Sequence, residues 1–304
     1  MDKNELYHHL LTFIEKNNVL LNEPMKNHTS FKIGGEADIL IRPTSIDEIK
    51  GAILLCQQKN VPYYIIGNGT NLLVKDKGMR YLVIKIAENL SRVDINQGVI
   101  TAQAGVLLST LSRKIIENHL KGFEFAGGIP GTLGGAITMN AGAYGREMQD
   151  VVKSCRVLTR SGEVLDLSLK ELEFSYRNSI ISKKKYIVLE VRLELSKGNY
   201  EEIREVANDL SRRRRTKQPL HLPSAGSTFK RPPGHYASKL IQDAGLKGVR
   251  IGGAEVSELH SGFVVNVDNA TASDVINLIE HIQESVYDKF GVLLEPEVKI
   301  IGED

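Results

Sequence analysis

Four segments of this 304-residue chain hold residue types whose spacing could do chemistry. Ser224-Ala225-Gly226-Ser227-Thr228-Phe229-Lys230 is small and polar and lies between Pro223 and Pro232. Gly226 leaves the Ser227 hydroxyl little shielded. The G-x-S-x-G turn of a serine nucleophile is absent, but a polarised serine can relay a proton. Taken alone, Ser224 and Ser227 only shape a loop. Glu295 and Glu297 flank Pro296, so a strand would turn both to one side. In Tyr176-Arg177-Asn178-Ser179 the arginine can hold a carboxylate bidentately or make a surface salt bridge, and spacing does not choose between them. The fourth segment, residues 125–145, reads FAGGIPGTLGGAITMNAGAYG, without a charge. Glycine costs backbone entropy and Pro130 removes a donor, so no long helix is expected there. Main chain laid close against a bulky ligand is the better reading. Gly67-Asn68-Gly69-Thr70-Asn71 follows an apolar run. By itself it is an ordinary Asn-Gly turn. Together, the two glycine-rich loops point to a nucleotide cofactor whose pyrophosphate meets main-chain N–H groups.

The elements that must position these segments follow from periodicity. The opening residues 1–18 read as an amphipathic helix with Leu6, Leu10, Phe13 and Ile14 on one face, and Asp2 and Glu5 have capping-box spacing. Residues 44–60 read as a helix with Ser45 and Glu48 as its box and Ile46, Ile49 and Ile53 inward. Strands are expected at 63–66 and 81–86, giving a strand–helix–strand unit, then at 99–104. A helix over 106–120 would place Leu107, Leu111 and Ile115 in register. Strands at 151–159, 163–167 and 186–195 alternate imperfectly. Lys197-Gly198-Asn199 marks a boundary. The helix over 200–216, with Ile203, Val206 and Leu210 inward, ends in Arg212–Arg215, a run better read as a solvated helix C-terminus than as a nucleic-acid site. Helices are expected at 237–244 and 272–290, the latter capped by Thr271 and Asp274, with strands at 263–267 and 293–301.

Composition narrows the class. A hydrophobic share of 41% fits a globular chain, and a net charge of +2 gives no global pull towards nucleic acid or membrane. No N-terminal signal and no bilayer span are expected. The two cysteines, Cys56 and Cys155, lack metal spacing and read as reduced packing residues of a cytosolic protein; no metal site is expected.

The motifs together resemble the UDP-N-acetylenolpyruvoylglucosamine reductase (MurB) family. The matching stretches are Asn27-His28-Thr29-Ser30-Phe31-Lys32-Ile33-Gly34-Gly35, the 67–71 loop, Gly128-Ile129-Pro130-Gly131-Thr132-Leu133-Gly134-Gly135, Asn140-Ala141-Gly142-Ala143-Tyr144-Gly145, Tyr176 to Ser179, Pro223 to Lys230, Ala244-Gly245-Leu246-Lys247-Gly248 and Leu294 to Glu297. They run in family order from about residue 27 to 301. The resemblance implies an α+β chain with a vanillyl-alcohol-oxidase-like (PCMH-type) FAD-binding fold of two subdomains, plus a smaller α+β substrate-binding domain. The expected division is a lead-in over 1–32, FAD-binding subdomains at about 33–98 and 99–198, and a substrate domain over 199–304 whose final strand is a candidate to return to the first subdomain. It implies non-covalent FAD, because the 67–71 loop has no His or Cys to tether it, and NADPH as reductant of a UDP-sugar in cytoplasmic peptidoglycan synthesis. The working expectation is a monomer that binds no nucleic acid. At 304 residues the chain is similar to the shorter subtype, without a Tyr-bearing lid. Carried onto this sequence, the catalytic trio is Arg177, Ser227 and Glu297. FAD falls to Gly67, Asn68, Gly69, Thr70, Asn71, Gly128, Ile129, Pro130, Gly131, Thr132 and Gly142. Substrate contacts fall to Tyr144, Lys217 and Arg231. Another flavin enzyme of this fold, an alcohol or sugar oxidase, is the alternative.

Overall fold

The computed structural model describes residues 2–303, apart from the side chain of Tyr81. Its contacts divide the chain into two compact units. The first comprises Met1–Leu21, Ile39–Asn68 and Tyr81–Arg214, and the second Asn22–Asp38, Gly69–Arg80 and Arg215–Asp304. A division by chain order near residue 198 therefore differs from the division by contact. The helix Tyr200–Lys217 runs up to and through the cut.

In the first unit the strand Tyr63–Ile66 pairs in parallel with Met79–Lys85, from Tyr63 opposite Leu82 to Ile66 opposite Lys85. The connection between these two strands holds the short strand Leu72–Val74 and no helix. The helix Ile46–Gln58 packs Ile49, Ala52, Ile53 and Cys56 into the core. Each buried isoleucine contributes roughly 2–3 kcal/mol. Half of the expected box forms here. Ser45 Oγ accepts from the Glu48 N–H at 3.2 Å, while the Glu48 carboxylate reaches back to the Thr44 N–H and hydroxyl. A five-stranded sheet follows, in the order Val164–Ser168, Val152–Leu158, Ile187–Glu194, Val99–Gln103, Val93–Asn96. All four pairings in it are antiparallel. One continuous core links these strands to the helix Leu108–Glu117 through Leu111, Ile115, Val157 and Val191. Cys56 and Cys155 lie in that core as free thiols, and burial pushes each up to about 12.

Several expected helix faces shift. The first helix covers only Lys3–Leu10, Asp2 makes no side-chain cap, and the Glu5 carboxylate meets His9 and Lys59. Phe13, Leu107 and Val206 are exposed. Phe13 falls beyond its helix and Leu107 is an N-cap rather than a helical position. Of the long 200–217 helix only Ile203 is fully buried.

The second unit packs the helix Ala272–Phe290 over a small antiparallel sheet, Arg250–Ile251, Ala254–Val256 and Val264–Asn266. Its core includes Phe31, Leu73, Val256, Leu278 and Ile282. The expected strand over 293–301 forms as a strand only at Lys299–Ile301, which pairs in parallel with Leu72–Val74. The last strand therefore joins a segment from the first hundred residues, and both lie in the second unit.

The long helix starts with a complete capping box. Thr271 Oγ1 accepts from the Asp274 N–H at 3.0 Å, and the Asp274 carboxylate accepts from the Thr271 N–H at 2.9 Å. That N–H, helped by Gly253, holds the Asp274 carboxyl below the usual carboxylate range. A depressed folded value means that the contribution is complete above about pH 4 and is lost as pH falls through the lowered value. Thr271→Ala is expected to cost about 1 kcal/mol, read as a lower unfolding midpoint. For Asp274→Ala, the gap from the parent should narrow in acid; a gap that widens in acid would reverse the assignment.

Candidate active site

The strand Tyr63–Ile66 ends at Gly67, whose α-carbon backs onto Thr132. A Cβ there would lie 2.3 Å from Thr132 Oγ1. The two glycine-rich loops therefore touch. Thr132 is buried and caps the short helix Leu133–Thr138 by accepting from the Gly135 N–H at 3.4 Å. Three main-chain bonds fasten this loop: Leu108 N–H to the Gly131 carbonyl at 3.1 Å, Leu133 to Val106 at 2.9 Å and Gly134 to Ala104 at 2.8 Å. Across the cut between Asn68 and Gly69, the second unit continues the 67–71 loop. Gly69 has φ +61°, and a Cβ on it would lie 2.0 Å from the His28 carbonyl oxygen. His28 in turn meets Glu23 at 2.9 Å, and the Ser30 N–H donates to the Gly69 carbonyl at 3.1 Å. The 27–35 motif thus forms the floor of this loop. The N–H groups of Asn68, Gly69, Gly128 and Gly131 find no protein acceptor among the described residues. Gly69 is buried, where an unpaired donor is costly. A diphosphate supplies such acceptors, so the residues fit FAD.

Gly142 serves a hairpin. Gly142–Ala143 pairs with Arg146–Glu147, and Tyr144 and Gly145 take φ of 56° and 82°, both positive as a two-residue type I′ turn requires. A Cβ on Gly142 would meet the Arg146 carbonyl at 2.5 Å, so its need for glycine is met by the hairpin itself. The exposed Tyr144 donates its hydroxyl to the Leu210 carbonyl at 3.0 Å.

Arg177 stands at the tip of a tight turn closed by Ser175 and Asn178, which exchange both main-chain hydrogen bonds at 3.1 Å. Its φ is +55° and its guanidinium lies 5.0 Å over the Tyr176 ring. A left-handed non-glycine residue costs about 1–2 kcal/mol and persists where surrounding structure enforces it. Buried Asn140 does so, donating to the Ser175 carbonyl at 3.2 Å and to Glu147 at 2.8 Å. Buried Ser179 fixes the other side through the Thr138 carbonyl at 2.7 Å.

The segments that carry Ser227 and Glu297 pair in the second unit. The Glu297 N–H donates to the Thr228 carbonyl at 2.8 Å and the Lys230 N–H to the Glu295 carbonyl at 2.8 Å, with Phe229 opposite Pro296. Ser227 is exposed beside buried Thr228. Thr228 is pinned by accepting from the Val264 N–H at 2.9 Å and donating its own N–H to Gly262 at 2.9 Å. Gly226 before it has φ +78°. Next in the chain of contacts, His260 Nδ1 accepts from the Gly262 N–H at 3.1 Å, and burial pulls that imidazole below its usual pKa, matching an acceptor nitrogen. Lys230 pairs with Glu295, so its ammonium is committed. Arg231 stacks 4.0 Å over Tyr236 and donates to the His235 carbonyl at 3.3 Å. Lys217 is exposed at the end of its helix.

Sequence reasoning treated the four arginines alike and missed Arg214. Arg212 and Arg213 pair with Asp209 at 2.6 and 2.7 Å. Arg214 turns the other way. A Cβ on Gly128 would meet its Cδ at 3.2 Å and its Nη1 at 3.7 Å, and burial lowers its pKa while Tyr144 opposes the shift. Its guanidinium has no acceptor or carboxylate among the described residues. The helical period was the only available signal: Arg214 is four residues from Leu210, which faces Tyr144. Beside it lies a cavity of about 410 Å³, lined by Phe125, Gly128, Tyr144, Asn208 and Ser211 among others.

Paired glycine loops with unclaimed N–H groups, set on mixed α and β layers, suit a protein that binds a nucleotide cofactor through its diphosphate. Comparison with known proteins agrees: residues 37–168 match a family model described as FAD binding domain, and residues 218–301 match one described as UDP-N-acetylenolpyruvoylglucosamine reductase, C-terminal domain. Proteins named UDP-N-acetylenolpyruvoylglucosamine reductase from Alkaliphilus metalliredigens and Alkaliphilus oremlandii are 60% and 62% identical to this chain, each alignment covering 100% of both partners. The crystal structure of the reductase of that family from Thermus caldophilus superposes with a TM-score of 0.80 at 35% identity, covering 93% of this chain and 97% of the other. The chain belongs to the UDP-N-acetylenolpyruvoylglucosamine reductase family, and its fold is the PCMH-type FAD-binding fold with an additional C-terminal domain.

Gly67→Ala is expected to lower the FAD retained per protein by at least several-fold, because the methyl group would displace Thr132. Flavin absorbance after desalting measures this, with far-ultraviolet circular dichroism as the check on folding. Full flavin retention would show that Gly67 serves only as a turn.

Proposed function

We infer that this chain catalyses the NADPH-dependent reduction of UDP-N-acetylglucosamine enolpyruvate to UDP-N-acetylmuramate through FAD, a step of peptidoglycan precursor synthesis. The observation that supports the reading at the site is the short ladder that pairs the segment after Ser227 with that of Glu297, together with the left-handed turn at Arg177. FAD, held by the main chain of residues 67–71 and 128–132, would supply the hydride chemistry between NADPH and the vinyl methylene carbon of the substrate.

The residues handle charge and protons. Negative charge develops on the carbon next to the substrate carboxylate and spreads into that carboxylate. Arg177, held rigid at its turn, binds the carboxylate and stabilises the developing enolate, with Glu297 assisting. Ser227 gives its hydroxyl proton to the carbon. Its high intrinsic pKa suits so basic an acceptor. Lys217 is the proposed contact for the nucleotide diphosphate, with Tyr144 and Arg231 as further substrate contacts. FAD is held non-covalently by residues 67–71 and 128–132, and the unpaired charge of Arg214 beside Gly128 complements its diphosphate. The enzyme acts as a monomer in the cytoplasm, where its nucleotide substrates are made. Among the described residues no helix is long and apolar enough to cross a membrane.

Stopped-flow measurement of the separate half-reactions tests this. Ser227→Ala should leave reduction by NADPH within about twofold and slow reoxidation by the enolpyruvyl nucleotide by about 10²-fold or more. Equal loss in both halves would remove Ser227 as the proton donor. The chain carries no G-x-G-x-x-G fingerprint for a separate NADPH unit, since Leu72 stands where the third glycine would fall after Gly67 and Gly69. NADPH and the nucleotide sugar should therefore alternate at one face of the flavin. Double-reciprocal plots should be parallel, with each ligand competing against the other at high concentration. Intersecting lines would point to two separate sites.

A further inference from the structure

Asn71 closes the first glycine-rich loop, yet its side chain does not end there. Its amide Nδ2 donates to the main-chain carbonyl of Glu297 at 3.1 Å, across 226 residues of chain. Its own carbonyl accepts from the Lys299 N–H at 3.0 Å, and from there Leu72–Val74 and Lys299–Ile301 run as a parallel pair. Both peptide groups of Glu297 are thus committed. The N–H goes to Thr228, next to the serine, and the C=O goes to Asn71, the last residue of the loop whose N–H groups await a diphosphate. A carbonyl accepts only from a donor, so the NH₂ side of the Asn71 amide must face Glu297.

We propose that Asn71 is a positioning residue for Glu297, clamping the main chain of that carboxylate to the cofactor loop. This rests on the reading of Glu297 given above. The clamp has a physical consequence. Pro296 stiffens one side of Glu297 and the parallel pairing begins two residues later, so the Asn71 bond removes the remaining freedom of that peptide group. A shift of about 1 Å in a group that stabilises charge costs about 10²-fold in rate. The order imposed on the 67–71 loop by a diphosphate is transmitted to Glu297 through one hydrogen bond.

Asn71→Asp is isosteric and removes the donor while the new carboxyl is ionised. At saturating FAD and neutral pH, reoxidation by the enolpyruvyl nucleotide should slow by about 10-fold or more beyond any slowing of reduction by NADPH. Acidification protonates the new carboxyl, which then donates to the Glu297 carbonyl, so the deficit relative to the parent should shrink as pH falls. Asn71→Ala, which has no donor at any pH, should show the same loss without acid recovery. Glu297→Gln in the same assay separates the two claims. If it leaves reoxidation unchanged, the role of Glu297 fails. If it slows reoxidation while both Asn71 variants do not, the clamp fails. Equal slowing of both halves at saturating FAD would confine Asn71 to holding the flavin and overturn the proposal. If Asn71→Asp does not fold, the half-reaction split in Asn71→Ala decides alone.

Discussion

Main-chain donors left without protein partners are the constraint on which this architecture depends. Folding ordinarily pairs such groups, and an unpaired donor in a buried place is destabilising. Here Asn68, Gly69, Gly128 and Gly131 keep their N–H groups unclaimed by protein among the described residues, and of the four only Gly69 is buried, so the cost falls chiefly there. Thr132 presses on Gly67, the His28 carbonyl presses on Gly69, and the 104–108 segment ties down the second loop by three bonds. Rigid neighbours on every side prevent the loops from collapsing onto their own carbonyls. Stability given up at Gly69 is offset by the core of the second unit, which includes Phe31 and Leu73.

The side chains proposed to do the chemistry follow a different rule. None of Arg177, Ser227 and Glu297 sits in the middle of a regular element. Each is held at a short irregular stretch by hydrogen bonds from neighbours: Asn140 and Ser179 around Arg177, Thr228 beside Ser227, Asn71 at Glu297. Side-chain amides and hydroxyls thus do the aligning that helix and sheet ladders do elsewhere, and they do so from several distant parts of the chain.

That difference explains what was legible in the amino-acid sequence. Strands and helices with clear periodicity were readable almost to the residue, as with Tyr63–Ile66 and Ala272–Phe290. The glycine loops were readable because close approach demands glycine wherever it occurs. The motifs identified the family, and the loop and domain matches bear this out. Less was legible where long-range contacts decide. Nothing near residues 22–38 or 69–80 signals that they pack with the last ninety residues. Arg214 looks like its neighbours until Gly128 is placed against it. The left-handed turn at Arg177 carries no glycine to announce it. Apolar residues at helix margins, such as Phe13 and Leu107, follow the period on paper but fall where the helix has not begun or has already ended.

Both thiols of the chain lie in the first unit, each at 1% exposure or less and each protonated far above neutral pH. The second unit has none. An alkylating reagent can therefore reach sulfur only when the flavin-loop half opens, and it is blind to any excursion of the other half. Nature has left this chain with a built-in clock for one unit alone: the rate of thiol capture reads the breathing of the strand Val152–Leu158 and the helix Ile46–Gln58, with no label to introduce.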